Sequence, residues 1–242
     1  MTSTELLYLK DSYLKECEAK VLEIIENEGK YFIILDKTVF YAQGGGQVYD
    51  TGEITDKNNN EYKVLSVTKK DGKILHEIDK EGLKEHEKVN CKIDWERRYK
   101  LMKSHTATHL LAETIFKETN ALVTGNNIDI DKCRIDFDLE NNDAELMKKA
   151  VEDTNKVISQ HLPIKIEFMS RSKAEKISQL SKLAKGLPES LTEVRVVSIG
   201  DYDIQADGGT HVHNTKEIGK IEFIKLDSRG KNNRRIYIKI VD

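Results

Sequence analysis

No stretch of this 242-residue chain approaches the ~18 consecutive apolar residues of a membrane-spanning helix, so no membrane partner is expected. The start, Met1-Thr2-Ser3-Thr4-Glu5-Leu6-Leu7, has neither the basic leader nor the long apolar run of a secretory signal. Cysteine is scarce. Cys17, Cys91 and Cys133 are odd in number and scattered, which argues against a disulfide framework and for a reducing, cytoplasmic compartment. Each reads as a small core or strand residue. An excess of positive charge is also missing: 39 basic against 42 acidic side chains give a net charge of −3, which rules against holding nucleic acid by bulk electrostatics. Two local basic clusters stand out from that balance, Arg97, Arg98, Lys100 and Lys103, then Lys225, Arg229, Lys231, Arg234 and Arg235. Taken singly, each reads first as a solvated face. What remains, 38% hydrophobic and 33% charged residues, describes a polar-surfaced globular protein with enough chain to bury a core.

The pattern changes near residue 93. Residues 1–92 read as short strands broken by turns, among them 31–35, 62–68 and 74–78, with Asp71-Gly72 as a hairpin signal and Asn58-Asn59-Asn60 as another turn. Such spacing predicts a small β-barrel. From 93 to 242 the expectation is an α+β domain, with helices packed on an antiparallel sheet. Asp94 is an N-cap for a helix over 95–119. Cys133, Ile135, Phe137 and Leu139 alternate as a strand. Asn142 with Glu145 forms a capping-box pattern for a second helix through Leu162, stopped by Pro163. Strands follow at Ile164, Ile166 and Phe168, at 193–199, at 221–226 and at Ile236, Ile238 and Ile240, with Ser172 and Glu175 capping a short third helix between the first two. No Pro- or Gly-rich linker separates the halves.

His105 and His109 carry the chemistry. At i and i+4 on a helix both imidazoles project from one face and can reach one metal ion. Asp207-Gly208-Gly209-Thr210-His211 offers a carboxylate and a third imidazole at the same spacing. Two such pairs supply the nitrogen and oxygen ligands that tetrahedral zinc accepts. Taken alone, one such pair in a chain with seven histidines is a weak signal. His213, two residues beyond His211, competes as a ligand, whereas His76, His86 and His161 read as surface or barrel residues. The run Gly44-Gly45-Gly46-Gln47 is no P-loop, lacking lysine and a strand–loop–helix context. Its backbone amides can cradle a phosphate or simply make a bend.

Taken together, the His-Thr-Ala-Thr-His and Gly-Gly-Thr-His runs resemble the editing domain of alanyl-tRNA synthetase, and more closely its free-standing relatives, the AlaX trans-editing proteins. The run from Phe40 through Gln47 to Gly52 resembles the glycine-rich signature of the medium-length class of that family. The resemblance implies a hydrolase that removes serine, and in some members glycine, from tRNA specific for alanine. A pocket built for alanine cannot strongly reject serine, which only adds a hydroxyl, so a second hydrolytic sieve is needed. It implies zinc held by His105, His109, Asp207 and His211 as the catalytic group. Aspartate at 207 departs from the commonest pattern, which has cysteine there, so that Asp207 is either a ligand or the holder of a water. It implies substrate contacts at Gly44, Gly45, Gly46, Gln47, Gly208, Gly209 and Thr210. Thr124 is a candidate for the amino-acid hydroxyl, with a plain turn as its bland reading. The expected partner is alanine-specific tRNA, through its acceptor stem and 3′ end. Competing expectations are editing of serine on threonine-specific tRNA, an inactive zinc- and RNA-binding module, and a small-molecule metallohydrolase.

Overall fold

Two hairpins with two-residue turns set the register of the first strands. In the computed structural model, which describes residues 4–177 and 192–241, Glu28 and Gly29 have φ of 54° and 75°, and Asp71 and Gly72 have φ of 49° and 78°. These left-handed pairs match the twist of the strands they join. After β1 (Glu5–Leu6), which pairs in parallel with β4 (Lys37–Thr38), six antiparallel strands close into a barrel: β2 (Glu16–Asn27), β3 (Lys30–Leu35), β7 (Lys73–Ile78), β6 (Glu61–Lys70), β5 (Gly52–Asp56) and β8 (Lys88–Ile93), with β8 returning to β2. Val21, Ile33, Leu35, Ile54, Val67 and Cys91 are wholly shielded inside it. The mixed faces that the sequence gives to 62–68 come from a bulge. Register shifts between Val64 and Ser66, so that Tyr62, Val64 and Val67 all point inward while Leu65 is exposed.

The glycine-rich run is a tight turn of this unit. Gly44 and Gln47 exchange both backbone hydrogen bonds, at 3.2 and 2.9 Å, around Gly45 and Gly46, whose φ values of 56° and 88° give the same turn class again. Downstream, Asp50 is buried and accepts from the amide of Tyr41 at 2.7 Å. Its carboxylate also takes the guanidinium of Arg98, itself fully buried, whose remaining N–H groups donate to Ser12 O at 2.9 Å and Val39 O at 2.6 Å. With all three nitrogens engaged, this ion pair ties three separate segments to one cation, and losing one partner of such a buried pair costs about 3–5 kcal/mol. Gly52 is needed for a different reason: a Cβ there would lie 2.2 Å from Lys92 O, where β5 crosses β8.

The chain divides into compact units Met1–Lys100 and Leu101–Asp242, a division that falls within α1 (Trp95–Thr119). Asp94 Oδ1 accepts from Arg97 N at 3.1 Å, the expected cap. In the second unit, β9 (Val123–Ile128), β10 (Cys133–Phe137), β14 (Lys220–Ser228) and β15 (Arg234–Val241) form an antiparallel sheet in the order β14-β15-β10-β9. A second antiparallel sheet runs β11 (Ile164–Ser170), β12 (Glu193–Ile199), β13 (Asp203–Ala206). The fold is thus α+β, as expected from sequence. Two helix ends differ from expectation. α2 (Ala144–Ile158) is capped by Asp143, whose carboxylate accepts from Glu145 N and Leu146 N, one residue later than Asn142. It stops at Ile158 and not at Leu162, because His161 turns left-handed (φ 55°) and Leu162 N donates to Thr215 Oγ1. The third helix is one turn, α3 (Arg171–Ala174), following Ser170, whose side chain makes no capping bond. No helix among the described residues is long and apolar enough to cross a membrane.

His76 reports on the barrel interior. Its Nδ1 donates to Ile33 O at 3.2 Å and its Nε2 accepts from Thr38 Oγ1 at 2.8 Å, so the neutral ring is fully paired. Burial pushes its pKa down to about 4, against a weaker opposing effect of the Ile33 carbonyl. A base whose folded pKa lies below its unfolded value leaves stability intact above pH ~6.5 and loses it as the unfolded state takes up the proton first. Between pH 6.5 and 4 the wild type is expected to lose about 3 kcal/mol more than His76→Gln does. Urea titrations of both proteins across that range measure the difference; parallel curves would contradict it.

Candidate metal centre

The middle of α1 is buried on every side: residues 104–115 are all shielded from solvent, which exceeds the single apolar stripe that the sequence suggests. A helix so placed must satisfy its polar side chains internally. Thr106, Thr108 and Thr114 do so by donating to the carbonyls of Met102, Ser104 and Leu110, four residues back, at 2.8–2.9 Å. From this helix His105 and His109 project together, and the segment after β13 brings Asp207 and His211 to them. One ligand atom from each of the four residues lies within 4.8 Å of every other. The three rings sit 4.6–5.1 Å apart, centroid to centroid.

Hydrogen bonds fix which nitrogen of two rings faces the cluster. Thr106 gives its only hydroxyl proton to Met102 O, so at 3.1 Å its oxygen accepts from His211 Nδ1–H. His109 Nδ1 faces Asp203 Oδ2 at 3.3 Å, and a carboxylate accepts. Both Nε2 atoms therefore turn to Asp207. His211 Nε2 lies 3.0 Å from Oδ2, His109 Nε2 3.9 Å and His105 Nε2 3.5 Å from Oδ1. The edges of a zinc tetrahedron with bonds of 2.0–2.1 Å measure roughly 3.4 Å. A lone pair of His211 facing a carboxylate oxygen at 3.0 Å is repulsive unless a cation stands between them. The donor set thus fits a divalent metal.

Charge follows the same plan. Burial opposes ionisation of Asp207, but the surrounding imidazoles, His105 first, hold its carboxyl well below the usual carboxylate range. Burial lowers His105, and it lowers His211 to about 3. His109, equally buried, is instead raised to about 9 by Asp203 and Asp207. An anionic carboxylate and neutral imidazoles are the forms that ligate metal, so Asp207, His105 and His211 are ready as they stand while a metal must displace the proton of His109.

Of the glycines, Gly209 is indispensable to this packing. A Cβ there would fall 2.0 Å from His105 Cε1 and 2.2 Å from Nδ1, and its N–H already donates to Asp207 Oδ2 at 2.6 Å. Gly208 is exposed, with nothing within 4 Å of a Cβ. Thr210 is wholly buried. Thr124 is exposed on β9, and residues 44–47 form the turn of the first unit described above. His213 is exposed and outside the cluster. Three supporting residues escaped the sequence reading: Asp203 and Thr106 orient two rings, and Arg195 Nη1 donates to Asp207 O at 2.7 Å. Only Asp203, four residues before Asp207, carried a spacing signal.

Comparison with known proteins follows this geometry. Residues 194–237 match the family described as the threonyl and alanyl tRNA synthetase second additional domain, and residues 8–97 match tRNA synthetases class II (A). The chain is similar to the alanyl-tRNA editing protein AlaX-M of Methanosarcina barkeri, 45% identical over 99% of this chain and 100% of that one. It is also similar to the protein of the same name in Saccharolobus solfataricus, 42% identical over 98% of this chain and 99% of that one. Alanine–tRNA ligase of Sulfurisphaera tokodaii matches at 37% over 93% of this chain, which spans only 25% of that enzyme.

The steric contrast within the glycine pair is testable. Gly209→Ala is expected to displace His105 and abolish the visible absorption of a four-coordinate cobalt(II) complex, while Gly208→Ala binds cobalt as the wild type does. Equal behaviour of the two variants would refute the packing argument. Asp203→Asn, which removes the anion that orients His109, is expected to weaken zinc affinity about 10–100-fold in a chelator competition.

Proposed function

The chain belongs to the AlaX-M family of alanyl-tRNA editing proteins, and on that premise we propose that it hydrolyses the ester linking a wrong amino acid to alanine-specific tRNA, chiefly serine, with glycine as a second target. The observation that carries the reading is the cluster of three imidazoles and one carboxylate around a gap that calls for a cation. Zinc is the metal proposed, with His105, His109, Asp207 and His211 as its ligands. When bound it would polarise the ester carbonyl or the attacking water. The site of action proposed is the cytoplasm.

The chain's own residues do the rest. Asp203 and Thr106 hold His109 and His211 with Nε2 facing inward, so no reorganisation is needed when charge develops. Arg195 pins the backbone of Asp207. Because the N–H of Gly209 is already engaged, Gly208, with no side chain and open space around it, is the backbone point at which the aminoacyl ester can approach. Gly44, Gly45, Gly46, Gln47 and Thr210 are assigned to substrate by the family resemblance, and Thr124 to the serine hydroxyl, whose hydrogen bond would favour serine over alanine. The tRNA is engaged through its acceptor stem and 3′ end. Aspartate in place of a thiolate makes the site oxygen-harder, and so less selective for soft metals.

The test is release of labelled amino acid from alanine-specific tRNA charged with serine, glycine or alanine, with and without chelator. The expected result is chelator-sensitive release of serine with alanine spared, and a loss of at least ~100-fold in Asp207→Ala, the scale of removing a main electrostatic contributor. Zinc-loaded protein that releases none of the three would sink the reading and leave a binding module. Hydrolysis of free esters as fast as of charged tRNA would point to a small-molecule hydrolase.

A further inference from the structure

The outward face of the four-stranded sheet presents one aromatic ring among cations. Along β15, Ile236 and Ile238 are buried, so Arg235 and Tyr237 point to the other side. Tyr237 sits opposite Lys225 on β14 and Arg134 on β10, and Arg235 opposite Asp227 and Asp136. Lys225 Nζ lies 4.7 Å and Lys132 Nζ 5.9 Å from the Tyr237 ring centroid. The two carboxylates are already engaged. Arg235 grips both oxygens of Asp136 at 2.7 and 2.8 Å, and Lys225 and Arg229 reach Asp227 at 2.8 and 3.8 Å. Five cations, Lys132, Arg134, Lys225, Arg229 and Arg235, thus stand around Asp136 and Asp227, with the Lys239–Glu222 pair, 2.9 Å apart, next along the same row. Arg134 is part-buried, with Nε 4.0 Å from Asp136 Oδ1 and Nη2 donating to Asn126 O, while Lys225 and Arg229 are 54% and 48% exposed. Gly125 and Asn127 of β9 extend the same rows with no bulky side chain, opposite Asp136 and Arg134.

From this juxtaposition we propose that the outer face of the β14-β15-β10-β9 sheet is an RNA-binding surface, with a nucleotide base stacked on Tyr237 and flanking phosphates held by Lys225, Arg229 and Arg134. A sheet face with an aromatic residue on a central strand and cations beside it suits RNA, because every base has a stackable face while the backbone supplies regularly spaced anions. An acidic peptide would match the cations, but its carboxylates give the Tyr237 ring nothing to stack on. The inference rests on the reading that the substrate is a charged tRNA, and it assigns part of that tRNA's contact to a surface built by strands that carry no metal ligand.

Three variants test it by fluorescence anisotropy with alanine-specific tRNA between 50 and 200 mM salt, alongside deacylation kinetics. Lys225→Gln/Arg229→Gln is expected to flatten the slope of log K against log salt by about 1.5, since each phosphate contact contributes roughly 0.7–0.9. Tyr237→Leu is expected to weaken binding about tenfold and Tyr237→Phe hardly at all, because stacking needs the ring and not the hydroxyl. In the double variant and in Tyr237→Leu, KM should rise and kcat should not change; in Tyr237→Phe neither should move. Wild-type affinity and slope in the double variant and in Tyr237→Leu, with normal editing, would overturn the surface alone. Salt-dependent binding that falls with these substitutions in a protein that releases no amino acid would keep the surface and sink the editing reading. Absence of any tRNA binding by the wild type would remove both.

Discussion

Two lone pairs pointing at one another govern the second unit. His211 Nε2 and Asp207 Oδ2 stand 3.0 Å apart, with His211 wholly buried and Asp207 only 14% exposed, and much of the local architecture exists to hold them there. Left to itself, an imidazole would rotate or change tautomer to donate to the carboxylate. Thr106 prevents this for His211, and Asp203 does the same for His109. The threonine can act so only because its own proton is spent on Met102 O, which in turn requires an intact helix through residues 102–106. The site therefore stores its readiness for a cation in the ordinary hydrogen bonds of α1. That is a form of preorganisation that costs nothing further when a ligand arrives.

How much of this was legible in the sequence depends on how local each cause is. The bounds of α1 were readable because Asp94 caps it by a contact three residues away. Likewise β12 runs over residues 193–199 as expected, since three valines and an isoleucine give it strong β-propensity. The strands β9 and β13 were not seen: Val123–Ile128 holds glycine and two asparagines, and Asp203–Ala206 is four residues long, so neither offers a period. Both are strands because a neighbour pairs with them, and a neighbour is not a local property. The four candidate ligands were visible by spacing. Thr106 as the keeper of His211 was not, because its partner lies 105 residues away.

The glycine-rich run shows the opposite difficulty. Its composition invited a functional reading, and its geometry gives a structural one as well: Gly45 and Gly46 supply left-handed conformations, and Asp50 anchors Arg98. Buried charge of this kind is weak evidence for stability as such. What the Arg98–Asp50 pair does achieve is convergence, since Ser12 O, Val39 O and the Asp50 carboxylate all meet on one guanidinium.

The closed barrel also fixes an order of events during synthesis. β2 can meet β8 only once residues 88–93 have left the ribosome, a separation illustrated by the Lys88–Glu18 contact across 70 positions. From then on, the first unit has every strand of its ring. His105 and His109 emerge soon afterwards with their helix, yet about a hundred further residues must be made before Asp207 and His211 can join them. At elongation rates of roughly 5–20 residues per second, that interval is about 5–20 seconds. Throughout it, a helix whose middle, residues 104–115, is meant for burial carries two imidazoles without Asp207 and His211 beside them. Nascent-chain quality control, not the mature protein's stability, is then where a faulty second unit would first be noticed.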